Sequence, residues 1–314
     1  MLIVQRLALA SVVANSAIVV TGGAVRLTGS GLGCPTWPKC TATTVTPTAE
    51  YAIHGVIEFG NRLLTFVLLA VVVALLVAVW RVRPVRPGWR RLAVLGVLGI
   101  PAQALLGGVT VLTGLNPWTV MGHFLVSTGL IALAVVLHAR IRQDGTSSTA
   151  GVPLPLRRLG TGLLVLVGAT LVVGTVVTGS GPHSGDPEAG RTGLDPESMS
   201  QVHADLVFLL VGLTLAFYVA LKAVGAPATA TRAMGILLLV ELGQGAIGFV
   251  QYFTDLPVIL VGLHLAGACL ITVTAVQAVL ALQPHPAQEL AASPSPRSQR
   301  PMSAAGSGLE NRKP

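Results

Sequence analysis

Eight runs of predominantly apolar residues divide this chain, at roughly 5–25, 55–80, 91–113, 119–139, 157–178, 203–224, 230–252 and 257–282. Each is about 20 residues or longer, enough for a helix to cross a ~30 Å hydrocarbon core. No other feature restricts the fold as much. In lipid every backbone N–H and C=O must be bonded within the protein, which leaves helices or a closed barrel. Barrel strands would alternate over ~10-residue segments, and no such alternation occurs. With 52% apolar and 10% charged residues among 314, a water-soluble fold is excluded as well. The expected fold class is an all-α integral membrane protein with eight transmembrane helices. The first run exceeds a signal-peptide core and lacks a clear basic segment before it, so it is expected to stay in the protein.

A net charge of +8 invites a nucleic-acid reading, but the cations mark topology. Arg81, Arg83, Arg86, Arg90 and Arg91 crowd the second loop. Arg140, Arg142, Arg157 and Arg158 bracket the fourth, Lys222 and Arg232 the sixth, and Arg297, Arg300, Arg312 and Lys313 follow the last run. The odd-numbered loops hold Arg26, Lys39 and Arg191, with Glu50, Asp186, Glu188, Asp195, Glu197 and Asp255. The positive-inside bias predicts a multi-pass protein of the cell membrane with both termini cytoplasmic and no nucleic-acid partner.

The chain reads as one four-span unit written twice. Gln103, Gly107, Thr113, Leu115 and His123 recur as Gln244, Gly248, Thr254, Leu256 and His264, and Val20-Thr21-Gly22 matches Val177-Thr178-Gly179 at the ends of spans one and five. An even number of spans per unit makes the repeats parallel. Two four-helix-bundle repeats are expected, 1–142 and 143–282. The Pro-, Ser- and Ala-rich segment 283–314 is expected to be a disordered cytoplasmic tail.

Four histidines, His54, His123, His203 and His264, fall near the starts of even-numbered spans, two per repeat. His54, His123 and His203 are expected within about a turn of the outer helix ends. A polar ring in lipid needs a partner. An interhelical hydrogen bond would serve each one singly. Their duplicated placement instead predicts axial ligation of two haem irons inside bundles. His138, His183 and His285 are expected in solvated or loop roles.

Glu58 shares a helix face with His54 and with Arg62, each four residues away. Either the pair makes both charges tolerable in lipid, or Glu58 is an acid/base group facing a cofactor pocket. Asp205 stands near His203 without that spacing, which suggests one catalytic and one supporting half. Cys34 and Cys40, with five residues between them on the oxidising face, suit a short disulfide loop, structural or redox-active. Cys269, mid-span, reads as packing.

The chain resembles the haem A synthase family, membrane enzymes that convert haem O to haem A for cytochrome oxidases. The resembling residues are Thr21-Gly22-Gly23-Ala24-Val25-Arg26-Leu27-Thr28-Gly29-Ser30-Gly31-Leu32-Gly33-Cys34-Pro35 with Trp37-Pro38 and Cys40, and Ile57-Glu58-Phe59-Gly60-Asn61-Arg62. The segment from Gln103 to His123 and Thr178-Gly179-Ser180-Gly181-Pro182-His183 add to them. The resemblance implies haem b (iron) on His203 and His264, and a substrate haem in the N-terminal half facing His123, with Glu58 as the catalytic carboxylate. The family's motif commonly reads Glu-x-x-His-Arg, and Asn61 holds the histidine position here. The substrate iron would then use His54 or keep one protein ligand, with Asn61 and Arg62 beside it. The implied reaction oxidises a ring methyl of haem O to a formyl group through a hydroxymethyl stage. Candidate partners are a haem O synthase, a membrane electron acceptor and a second copy of the chain.

Two other classes compete. A bis-histidine di-haem electron-transfer cytochrome would leave Glu58 and Arg62 without a purpose. A parallel-repeat transporter would show pairs of Gly/Pro-broken spans and polar residues at the midplane.

Overall fold

The computed structural model describes residues 1–144 and 152–283. The expected tail, with His285, lies outside the described residues from 284 onward. Eight long helices follow in order: α1 (Leu2–Leu27), α2 (Ala52–Arg81), α3 (Pro87–Leu112), α4 (Pro117–Arg142), α5 (Leu154–Ser180), α6 (Pro196–Ala223), α7 (Ala228–Phe253) and α8 (Val258–Leu280). All eight are long and apolar enough to cross a membrane, and among the described residues there is no strand. The protein is an all-α integral membrane protein.

Proline sets several helix starts. It stands in the first turn of α3, α4, α5 and α6 and at the N-cap of α5, α7 and α8, where its missing N–H costs nothing. Asn116 and Asp195 cap α4 and α6, accepting from the N–H of Trp118 (3.0 Å) and Ser198 (2.8 Å). The α3–α4 and α7–α8 turns share one construction. Gly114 and Leu115, like Asp255 and Leu256, have positive φ, and the Leu115 and Leu256 N–H groups return to Thr110 and Gln251 at 2.8 Å.

In each half the four helices close a ring in which every helix packs on its sequence neighbours and the last packs on the first. The seam between halves consists of α4 on α8, α1 on α8 and α5 on α4, a set unchanged when the halves are exchanged. Val12, Val19, Ile131, Ala134, Val135 and Cys269 fill that seam, so Cys269 is packing. Separate apolar clusters close the ends of the rings on the side of the chain's N-terminus, around Leu75, Trp89 and Ile141 in one half and Leu163, Phe217 and Met234 in the other. Above them the rings stay open.

Candidate functional site

One continuous cavity of about 1860 Å³ runs through both rings. Single ligand pockets are typically ~300–1,000 Å³, so this space suits two large groups. Its lining positions correspond between halves at nearly constant displacements. On α2 and α6 the displacement is 142: Phe59 with Gln201, Asn61 with His203, Thr65 with Val207, Leu68 with Leu210. It is 141 on the third and fourth helices, as in Gln103 with Gln244 and His123 with His264. On α1 and α5 it is 152, pairing Gly22 with Gly174, so the sequence match between Gly22 and Gly179 is out of register.

In the C-terminal lobe the rings of His203 and His264 face each other, centroids 6.4 Å apart and planes at 74°. Two metal–nitrogen bonds of about 2 Å span about 4 Å, and the ring radii supply the remainder, so the gap takes one metal atom. Gly174 and Gly248 cradle the rings. A Cβ on either would stand 3.0 Å from His203 Cε1 and 3.3 Å from His264 Cε1. The Nδ1 atoms of both histidines are buried without a hydrogen-bond partner. Gln244 Nε2 donates to the His264 carbonyl at 2.8 Å and ties α7 to α8. Among the described residues no group of three or more His, Cys, Asp and Glu gathers to hold a bare ion. A metal here must bring its own equatorial ligands, as a haem does.

The N-terminal lobe repeats the frame with different chemistry. His123 lies against Gly107 (3.2 Å to a built Cβ), its Nδ1 buried and unpartnered. Gln103 donates to its carbonyl at 2.9 Å and to the Ser127 hydroxyl. In place of His203 stands Asn61, whose Oδ1 accepts from Thr21 Oγ1 at 2.8 Å. Where the other lobe has Ser200 and Ala204, this one has Glu58 and Arg62.

Glu58 is buried. Its Oε2 accepts from the Cys34 N–H at 2.6 Å, and its Oε1 from Arg62 Nη2 at 2.5 Å and Nε at 3.2 Å. Arg62 also donates to the carbonyls of Thr36 (3.0 Å), Lys39 (3.3 Å) and Cys34 (2.9 Å). All five guanidinium hydrogens are thereby engaged. The loop they hold is closed by the Cys34–Cys40 disulfide, both cysteines 0% exposed. Its Trp37 indole packs on Gly108 of α3, where a side chain would collide with it.

His54 does not join this group. Near the start of α2 it is exposed, bonds Ser30 Oγ through Nδ1 at 2.9 Å and does not line the cavity. The expectation of an iron ligand at His54 is corrected by helix register: the position matching His203 is Asn61, two turns deeper. His123 and His203 likewise sit about two turns inside their helices, as His264 does, and only His54 is at an end. His183 lies in the α5–α6 loop, bonds the Leu256 carbonyl at 2.9 Å and lines the cavity. His138 stays near the C-terminal end of α4. Sequence reading overlooked Glu241, buried in α7 and lining the C-terminal lobe. An acid in the middle of an apolar span was the available signal.

Comparison with known proteins bears on this arrangement. A family model described as "Cytochrome oxidase assembly protein" matches residues 5–182, more than half of the chain. The chain belongs to this family. Among similar proteins, one named heme A synthase from Bacillus pumilus is 36% identical over 143 residues, 44% of this chain and 45% of the relative. Another of that name from Listeria welshimeri is 35% identical over 122 residues (38% and 40%). A third, from Halalkalibacterium halodurans, is 33% identical over 129 residues (41% and 43%). The matched stretches thus span less than half the length of these relatives. For this cytochrome oxidase assembly protein family member, the match takes in the Cys loop, Glu58, Arg62 and His123.

Proposed function

We propose that the chain is a haem A synthase, oxidising a ring methyl of haem O to the formyl group of haem A. The carrying observation is the unlike pair of lobes in one cavity: two opposed histidines in one, a buried carboxylate beside a single histidine in the other. The relatives' shared name supports the same reading. The lobes are read as two copies of one four-helix unit, 1–142 and 143–282. The basic loops orient them in the cell membrane with both termini cytoplasmic.

In this reading His203 and His264 hold a haem b, cradled by Gly174 and Gly248. When bound it supplies one-electron transfer between the substrate and a membrane acceptor. Substrate haem O lies in the N-terminal lobe with His123 on its iron, and Asn61 on the opposite helix leaves the iron one protein ligand. Converting methyl to formyl adds one water oxygen and releases four electrons and four protons. Glu58 takes the protons: Arg62 occupies Oε1 with two hydrogen bonds, while Oε2 accepts from the Cys34 N–H alone and keeps a further lone pair. Arg62 fixes the carboxylate and the loop that covers the lobe, which keeps bulk water out.

The test is haem extraction and mass analysis from membranes of a haem O-producing host carrying the chain. Haem A should accumulate with the wild type. Replacing Glu58 by Gln should lower it by ~10²–10⁴-fold while the haem b spectrum persists. Normal haem A from Glu58→Gln would leave Glu58 as the partner of Arg62 only. Haem b without haem A in the wild type would make the protein an electron-transfer cytochrome.

A further inference from the structure

Glu241 is a carboxyl that neither haem site uses. It sits at the middle of α7, 2% exposed, lining the C-terminal lobe. Oε1 accepts from Thr214 Oγ of α6 at 2.9 Å, and Oε2 is buried with no partner. The matching position of the other lobe is Ile100, so the frame does not require a carboxyl here. Gly248, against His264, is two turns along the same face, which sets Glu241 about 10 Å to the cytoplasmic side of the histidine pair.

Among the described residues no ion pair reaches it. From α6 it is faced by Thr214, while Lys222 and Tyr218 of that helix pair with each other near its cytoplasmic-side end. From α8 the ionisable groups are His264 and Cys269, and Cys269 packs away from α7 against Val12 and Ile131. A lone carboxyl in low-dielectric surroundings responds strongly to any charge that appears near it.

We propose that Glu241 is the proton-binding group of the electron-carrying lobe. It takes one proton from cavity water when an electron from the oxidised substrate arrives between His203 and His264. It returns that proton when the electron leaves for a one-electron acceptor in the membrane. As the Glu241 O–H bond forms, one O–H bond of a hydronium ion in that water breaks and leaves water; the return step reverses both. The proposal rests on the reading that the two histidines hold a haem.

One unit of charge about 10 Å away, at an effective dielectric of about 20, changes a proton affinity roughly 15-fold. At about 59 mV per tenfold for one electron, that converts to a span of about 70 mV in midpoint potential. The sign follows from charge: the potential is high in acid, where Glu241 is neutral in both redox states, and lower in alkali, where it is ionised in both.

The experiment is a potentiometric titration of the haem in the purified full chain, from about pH 5 to pH 10, for wild type, Glu241→Gln and Thr214→Val. The wild type should show the fall. Glu241→Gln should lose that part of it and hold near the acid value. Thr214→Val, which removes the one hydrogen bond to the carboxylate, should move the curve to higher pH. A flat wild-type line, a Glu241→Gln curve equal to the wild type, or an unmoved Thr214→Val curve would each overturn the assignment of Glu241. Absence of any haem spectrum in the wild type would overturn the histidine reading instead.

Discussion

Arg62 offers a quantitative test of how the outer loop is held. Its five hydrogen bonds join α2 to three carbonyls of the Cys34–Cys40 loop and to Glu58. Arg62→Ala removes them together and leaves the Glu58 carboxylate with the Cys34 N–H alone. The Arg62 side chain is 19% exposed, so solvent recovers part of the loss, and we expect the closed loop to lose about 2–3 kcal/mol. Both cysteines are fully buried, so a soluble reductant must wait for the loop to open. Reduction then tracks the open population, and about 2–3 kcal/mol converts to a roughly 30- to 150-fold faster reaction. The assay is a time course of mild reduction quenched by alkylation and read by mass. Arg62→Lys, which keeps a charge near Glu58 but not the planar fork, should fall in between. The haem b spectrum, which the proposed function assigns to the other half, serves as the folding control. A rate in Arg62→Ala within a factor of about three of the wild type would refute the idea that this side chain holds the loop shut.

Changing His203 or His264 to Ala should abolish the low-spin b-type spectrum, whereas His54→Ala should leave both spectrum and haem A output unchanged. Visible spectra and haem extraction check both expectations. Gly174→Ala and Gly248→Ala should weaken haem retention by crowding the rings. Gly243→Ala, which meets nothing within 4 Å, should retain haem fully and raise thermal stability by up to ~1 kcal/mol. At the α6 N-cap, the Ser198 hydroxyl and N–H bonds hold the Asp195 carboxyl below its usual range. The stabilisation is therefore present above the ordinary aspartate value of about 3.9 and is lost as pH falls through the lower folded value. Hydrogen exchange at the Ser198 amide should quicken on that acidification in the wild type but not in Asp195→Asn, which keeps the cap without the charge.

The helices and the ligand-bearing spans were legible because lipid imposes length and apolarity on every span. The Cys34–Cys40 pairing was legible from spacing and face. Register was not. The displacement between matching positions is 152 on the first helices, 142 on the second and 141 on the third and fourth, so the intervening loops differ in length between halves. Matching the spans by their ends therefore paired His54 with His203 and Gly22 with Gly179. Only three-dimensional placement pairs Asn61 with His203. For Glu58 the sequence offered Arg62 as a contact, beside its acid/base reading. Its second oxygen meets a backbone N–H of a loop 24 residues away in sequence, a contact that no periodicity encodes. Glu241 was legible as an acid within an apolar span, but its placement in the cavity wall and its bond to Thr214 appear only in three dimensions.

The seam has a consequence for traffic. Because α1, α4, α5 and α8 face the middle, α2 and α3 form one outer flank and α6 and α7 the other. Each flank carries large apolar side chains that both line the cavity and face outward: Phe66 and Leu98 on one side, 68% and 59% exposed, Phe208 and Phe249 on the other, 60% and 50%. The two lobes thus lie behind different helix pairs, on opposite sides of the seam. A group that exchanged between α2 and α3 would not have to pass one held behind α6 and α7, so on the proposed reading one lobe could turn over its contents while the other kept its own.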